Sequence, residues 1–530
     1  MKQWGASLAV MSMALLAACG GAASDGGTTP GTTAQLSVAV VGGGSVISQP
    51  AGIDCGVHCS AAVTLGTDIQ LMATPSTGHV FSSWSGACSG TTPACSVAMN
   101  ASRNVTASFV PASGASGWSN ETALSAAGAG DPKVVIDAAG RALAVWTQLD
   151  SATTTNTSLW GSRYVPGSGW SAPQVLESNA GSISNIDLGM DRNSGRAVVV
   201  WRQLGTTYDG WAKPFDPGAG WGAATALESG GGAVDTGSVA VDGAGNATVV
   251  WSQIGPNTRF SIYASRYSFG GNWTSPVLIE TNEVSGSQDG LPKVAALPGG
   301  GAVVVWKRSN GSEASLWTNA YNGSSWGSAA EVVADAGATQ YIGSHALRMD
   351  ATGNGMLVWG QLDTSNNALW YKRHAAGVWQ GVAVQVAAPT PSVNQMSIPA
   401  LAMNSAGTAL TAWGIPDGTL FASTAAAGAS FGTRASVRGA SASLPTEVPV
   451  IGLDDQANAM AVWAESNGNL YLATRSAGNW GAPTLHENQA DVAAQPALDM
   501  NELGNAVLAW RQFVSGAGTK IYVRHYSSGR

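Results

Sequence analysis

One polar side chain recurs at a fixed offset along most of the chain. Gln148, Gln203, Gln253, Arg308, Gln361, Glu465 and Gln512 each follow a tryptophan by two residues, and only after Trp413 does an apolar Ile415 take the place. Residues two apart on a strand share a face, so strands set in a ring would carry these groups as a polar collar suited to a polar or glycan ligand. The same residues also suit a structural role, each amide held by a neighbouring sheet's backbone, because buried polar groups need partners. Other chemistry is sparse. Glycan hydrolysis uses a paired acid and base, and no such pair stands out. Arg163, Arg202, Arg266, Arg308, Arg373, Arg475 and Arg524 are scattered one or two to a repeat, where their stems can span from one sheet to the next. His345, His374, His486 and His525 lack His-x-His or His-Glu-x-x-His spacing, so no metal site is expected. No catalytic residue or cofactor is assigned.

The five cysteines are Cys19, Cys55, Cys59, Cys88 and Cys95, so no thiol lies in the rest of the chain. The start, Met1-Lys-Gln-Trp-Gly, precedes an apolar run over 6–18 and then Cys19. This is the pattern of an export signal, too short to remain as a membrane span. Leu16-Ala17-Ala18-Cys19 resembles the lipobox of bacterial lipoproteins. The resemblance implies that residues 1–18 are removed and that Cys19 is lipidated, holding the chain on a membrane. Gly20, where an inner-membrane retention signal would have Asp, implies the outer membrane, on its periplasmic or surface face. Residues 19–34, mostly Gly, Ala, Ser and Thr, read as a flexible tether.

Charged residues are only 11% of the chain, with a net charge of −8, while Gly numbers 69 and Trp 21. No basic run is present, which argues against nucleic acid as a partner. Many aromatics and glycines with few charges point to an all-β protein with frequent turns.

Residues 35–110 carry short alternating runs, such as Leu36-Ser-Val-Ala-Val and Ile69-Gln-Leu-Met-Ala, separated by Gly- and Pro-rich turns. Gly52-Ile-Asp-Cys-Gly56, Cys59, Ala73-Thr-Pro, Phe81-Ser-Ser-Trp84-Ser-Gly, Cys88, Cys95 and Val105-Thr-Ala-Ser-Phe109 resemble the divergent bacterial B-type repeat of internalin-like proteins. That resemblance implies a compact β module serving as a spacer or adhesion accessory. Four cysteines allow three pairings. Cys55–Cys59 and Cys88–Cys95 are the expected disulfides, because each closes a local loop. A zinc site is the alternative, but export favours oxidation. A linker over 111–116 follows.

From residue 117 the collar positions lie in a repeat. The tryptophans Trp146, Trp201, Trp251, Trp306, Trp359, Trp413, Trp463 and Trp510 stand 47–55 residues apart, a period that marks a repeat architecture. Each ends an apolar strand such as Ala142-Leu-Ala-Val-Trp146, which reads as buried on both faces. A preceding strand closes in an Asp-x-x-Gly turn, as in Asp137-Ala-Ala-Gly140, with Asn404 and Asn501 as substitutes and Pro298 as a departure. A third strand is marked by an aromatic such as Trp160, and a fourth starts at residues such as Trp170. The chain opens on a lone fourth strand, 118–124, and ends on a third. The expected fold is therefore an eight-bladed β-propeller over 117–530, closed by its N-terminal fourth strand. The repeat loosely resembles sialidase-like propellers, although their turn motif reads Asp-x-Gly. The expected function is lipid-anchored binding of a glycan or an envelope protein through the loop face. The alternative is a glycan-active hydrolase of sialidase-like ancestry.

Overall fold

The computed structural model describes residues 33–530, except 42–43, 56–57, 76–78, 91, 112–116, 152–154, 178–180, 229–231, 256–257, 281–287, 310–313, 335–340, 364–365, 388–398, 442 and 489–490. The leader, Cys19 and residues 112–116 of the expected linker lie outside the described residues, while Pro111 belongs to a strand. The chain divides into two compact units, at residues 111 and 112.

The smaller unit holds two four-stranded sheets. One runs in the order Ser60–Thr64, Thr33–Val41, Arg103–Pro111, His79–Gly86, the other Asp54–Cys55, Gly44–Gln49, Asp68–Pro75, Ala94–Ala98. Alternation explains the core: Leu36, Val38, Ile69, Leu71, Val105 and Ala107 point inward and are buried together with Trp84 and Phe109. Thr33 and Ala34, read from sequence as tether, already pair with Thr64 and Val63, because buried Ala34 joins the core. Cys55 is bonded to Cys59 and Cys88 to Cys95, the two local loops expected.

In the larger unit the described residues form eight antiparallel sheets. Their first strands are Ala129–Ile136, Ile183–Met190, Val234–Val241, Gln288–Leu297, Tyr341–Met349, Ala400–Met403, Val450–Leu453 and Ala493–Met500. Each first strand packs against the next, and Ala493–Met500 packs against Ala129–Ile136. The second strands, such as Ala142–Leu149, are buried along both faces, as continuous apolar composition requires. The eight tryptophans are at most 2% exposed, and each packs on the preceding sheet. Trp201, for instance, meets Leu143, Val145 and Leu159 of the first sheet. Trp146 meets Val507, Ile521 and Val523 of the last.

The Asp turns form as the spacing predicts. Asp137 Oδ1 accepts the Arg141 N–H at 2.8 Å, and Gly140 takes φ 76°, a region that Gly enters without steric cost. The Asn substitutes add something Asp lacks, an amide donor. Asn404 donates to the Asp454 carbonyl at 3.0 Å and Asn501 to that of Asp137 at 2.9 Å, each reaching the next sheet's turn. The fourth strands differ from expectation. In the first sheet Gly169–Trp170 and Gln174–Val175 are separate short pieces, both paired to Thr157–Val165. Pro173 between them has no N–H for a continuous ladder. The last sheet takes its outer pieces from the other end of the unit. Gly117–Trp118 and Thr122–Ala123 pair with Gly518–Ser527, in the register Trp118↔Tyr526 and Ala123↔Tyr522.

Candidate functional site

The recurring polar residue turns out to serve the tryptophan two positions before it. Indole N–H groups donate to Gln148, Gln203, Gln253, Gln361, Glu465 and Gln512 at 3.0–3.3 Å. With Arg308 included, all seven are at most 9% exposed. The collar expected at these positions is therefore not an open rim. A buried indole needs an acceptor, and the nearest position on its own face is two residues along the strand. At Trp306 this fails: Arg308 offers no acceptor, and the indole nitrogen of Trp306 has no partner.

Some of the remaining donors and acceptors of this series tie consecutive sheets together. Gln203 donates to Glu177, at the outer end of the first sheet, at 3.2 Å. Arg308 binds Asp289 through Nε and Nη2, both at 2.9 Å, and reaches Glu280 of the third sheet at 3.9 Å. Between the sixth and seventh sheets the charges are exchanged, with Arg438 on Glu465 at 2.8 Å. Burial and the neighbouring Asp289 push the Glu280 carboxyl up to about 8. Arg308 is spent on Asp289, so Glu280 is the carboxyl that keeps a proton. Some third-strand arginines reach to the next sheet, whereas Arg475 donates to the Ala457 carbonyl of its own sheet at 2.7 Å and Arg524 to that of His486 at 2.9 Å. Arg163 donates to the Pro217 carbonyl at 2.8 Å and Arg266 to that of Gly300 at 2.9 Å.

The first strands enclose a different kind of place. A cavity of about 460 Å³ is lined by these strands from the second sheet to the eighth, including Asp187, Ser238, Lys293, His345, Arg348 and Leu498. That volume lies within the roughly 300–1,000 Å³ usual for small-molecule sites. The innermost strands present unpaired edge groups, and two carboxylates take up some of them. Asp187 accepts from Leu188 N and Val239 N, both at 3.0 Å. Asp499 accepts from Ile136 N at 2.9 Å, Met500 N at 3.0 Å and Arg192 at 2.6 Å.

The cations at the cavity are less committed. Lys293 and Arg348 are both exposed to solvent, and the density of protein around the cavity pulls both below their ordinary values. Among the described residues neither forms an ion pair. Arg348 has one hydrogen bond, to the Leu347 carbonyl at 2.9 Å. His345 is 3% exposed. Its Nε2 lies 3.3 Å from the Val305 carbonyl, and its Nδ1 has no partner. Burial and Lys293 bring this imidazole down to about 3, so it is neutral at ordinary pH. A bulge precedes Lys293, between Gly290 and Lys293, with Leu291 at φ 52°. An extra residue there resets which side chains face inward. The sequence reading did not single out Lys293 or Arg348 as site residues. Their signal was a charge on strands otherwise apolar, Arg348 in one repeat and a lysine in two, since Lys133 faces Val145 in the first sheet as Lys293 faces Val305 in the fourth.

Residues 34–113 match the family described as the Divergent InlB B-repeat domain. No curated protein matches the chain. Among solved structures, the polysaccharide lyase Uly1 is similar at 9% identity and TM-score 0.41, covering 63% of this chain and 88% of that one. The BP39L lectin from Burkholderia pseudomallei is similar at 13% identity and TM-score 0.47, covering 69% of this chain and 100% of that one. The Hadza microbial sialidase Hz136 is similar at 11% identity and TM-score 0.35, covering 88% and 75%.

Proposed function

We propose that residues 117–530 form an eight-bladed β-propeller, closed by residues 117–125, and that the chain binds a glycan or an envelope protein while anchored by lipid at Cys19. The neighbour-to-neighbour packing of the first strands supports the ring, and the pairing of Gly117–Trp118 with Gly518–Ser527 supports its closure. The observation that carries binding over hydrolysis is the cavity's inventory. Its carboxylate, Asp187, is occupied by backbone N–H groups, whereas Lys293 and Arg348 are left for a ligand. A general acid or base would need a carboxyl free to exchange a proton with substrate.

A glycan array, a pull-down from intact envelopes and an assay for released reducing sugar test this reading together. Retention of a glycan or envelope protein without turnover is expected. Release of reducing sugar would sink it in favour of a hydrolase. The anchoring half is tested separately: Cys19→Ser should move the protein from the membrane fraction to the soluble one, and unchanged retention would refute lipidation.

A further inference from the structure

We propose that the segment closing the larger unit is an acid-released latch, in which a proton on His486 frees residues 117–125 from the sheets they join. This rests on the closure proposed above. The segment is held to the last sheet by its backbone. Ser119 N donates to the His525 carbonyl and Leu124 N to that of Ile521, both at 2.8 Å. It meets the seventh sheet through a ring. Trp118 stands edge to face with the imidazole of His486, 4.6 Å between centroids, just beyond the outer strand Thr484–Leu485.

His486 is badly placed to carry a charge. It is 5% exposed, and its Nε2 has no partner. The cation acting on it is Arg524, whose guanidinium is pinned by the carbonyls of His486, at 2.9 Å, and Ser119, at 2.7 Å. Burial, then this cation, bring the imidazole down to about 3, so it is neutral while the segment is seated. The carboxyls of the junction are otherwise engaged. Glu121 accepts from Asn488 N at 2.7 Å, and burial, with Glu121 adding to it, holds Glu487 above its ordinary value and toward its neutral form. His525 stacks on Tyr164 of the first sheet, 4.5 Å away, with Nε2 2.9 Å from its hydroxyl, so it keeps that cover when the segment lifts. Tyr526 packs on Trp118, 5.4 Å away. Once Trp118 leaves, His486 meets water and returns to its ordinary 6.5. The latch is therefore fully held above about pH 6.5 and loosens as the pH falls from there toward about 3. Between pH 7 and pH 5 the opening equilibrium should rise about 25-fold. Release bares the outer edge of Gly518–Ser527, a row of N–H and C=O groups open to another strand.

The test is hydrogen exchange of the full-length protein at pH 7 and pH 5, read by mass spectrometry and corrected for the intrinsic rate. Protection over residues 117–125 should fall about 25-fold on acidification, while Ala142–Leu149 of the first sheet keeps its own. His486→Phe leaves a ring against Trp118 and nothing to titrate, so the fall should shrink to less than about threefold. His486→Asn, smaller and likewise without a titrating group, should shrink it equally from a lower starting protection. Glu487→Gln removes a group that binds its proton more tightly in the seated form, so the fall should be as large or larger. An undiminished fall in both His486 variants would assign the release to another group and overturn the latch. Equal protection of the parent at both pH values would overturn it too and leave closure standing. A parallel loss over Ala142–Leu149 would mean acid unfolding of the whole unit in place of a latch. Absence of protection over 117–125 at pH 7 would sink closure itself, and the latch with it.

Discussion

Deleting residues 117–125 should lower the melt of the whole larger unit, although these residues stand some 400 positions from their partners in sequence. Leu124 is 7% exposed and packs with Trp146, Val507, Ile521 and Val523. Its loss alone is worth about 2–5 kcal/mol. Ser119 N donates to the His525 carbonyl and Leu124 N to that of Ile521, both at 2.8 Å. Ser125 Oγ accepts from Ile521 N at 2.7 Å, and Arg524 donates to the Ser119 carbonyl at 2.7 Å. Hydrogen bonds of this kind contribute about 0.5–1.5 kcal/mol each. The sum is about 4–11 kcal/mol, against a typical domain margin of roughly 5–15 kcal/mol. The outer edge of Gly518–Ser527 would also be bared, inviting association. Trp118→Ala is the milder form. The ring lies 4.6 Å from His486 and 5.4 Å from Tyr526 but is only half-buried, so about 2–3 kcal/mol is expected, below the 3–5 of a fully buried aromatic. Moving residues 117–125 to follow Arg530 should restore the parent melt. A deletion that leaves the melt unchanged would refute closure and reopen the blade count.

What sequence reasoning reached, and what it missed, follows from repetition. The Trp strand and the Asp turn recur in most repeats, so their composition stands out and their roles could be read: burial on both faces, and a capped turn with Gly140 at positive φ. The chain's order of strands likewise exposed the pairing partner of residues 118–124. The break in the outer strand was harder to see, because a proline such as Pro173 reads equally as a strand edge or a turn. The collar residues were visible, but their partner was not. Their offset of two sets them on the Trp face, where either a ligand collar or a structural amide on a neighbouring sheet's backbone could be expected, and the same offset brings the side chain to the indole itself. Lys293 and Arg348 were hidden for the opposite reason. The arginine stands in one repeat and the lysine in two of eight, Lys133 being the other, and a reading built on what repeats averages such residues away. A search for charges that break an apolar inner strand would have found them.

Arg308 is another departure from the repeat, and substituting it with the residue its neighbours carry should be harmful. Arg308→Gln would give Trp306 the acceptor it lacks, a gain of about 1 kcal/mol. It would also strand Asp289, 3% exposed, and Glu280, likewise 3% exposed, without their cation. Breaking a buried pair by removing one partner costs about 3–5 kcal/mol, so the loss outweighs the gain and a net destabilisation of about 2–4 kcal/mol is expected. The stacking of Arg308 on Trp317, 4.1 Å from its centroid, adds to the loss. The pH dependence carries the sign. Glu280 is raised from 4.5 to about 8 in the folded protein, so the folded state binds the extra proton. Its contribution to stability is fully present below about pH 4.5 and is lost as pH rises through about 8. The parent melt should therefore fall between pH 5 and 8 from this group, and Glu280→Gln should flatten that fall. In Arg308→Gln the deficit should deepen over the same window, as uncompensated carboxyls are forced to ionise. Adding Asp289→Asn to Arg308→Gln should recover most of it, because the amide needs no cation. Melts of the four proteins at pH 5 and pH 8 decide the matter. An Arg308→Gln protein as stable as the parent at pH 8 would mean that the carboxylates find water instead, and that the charged link between the third and fourth sheets contributes nothing.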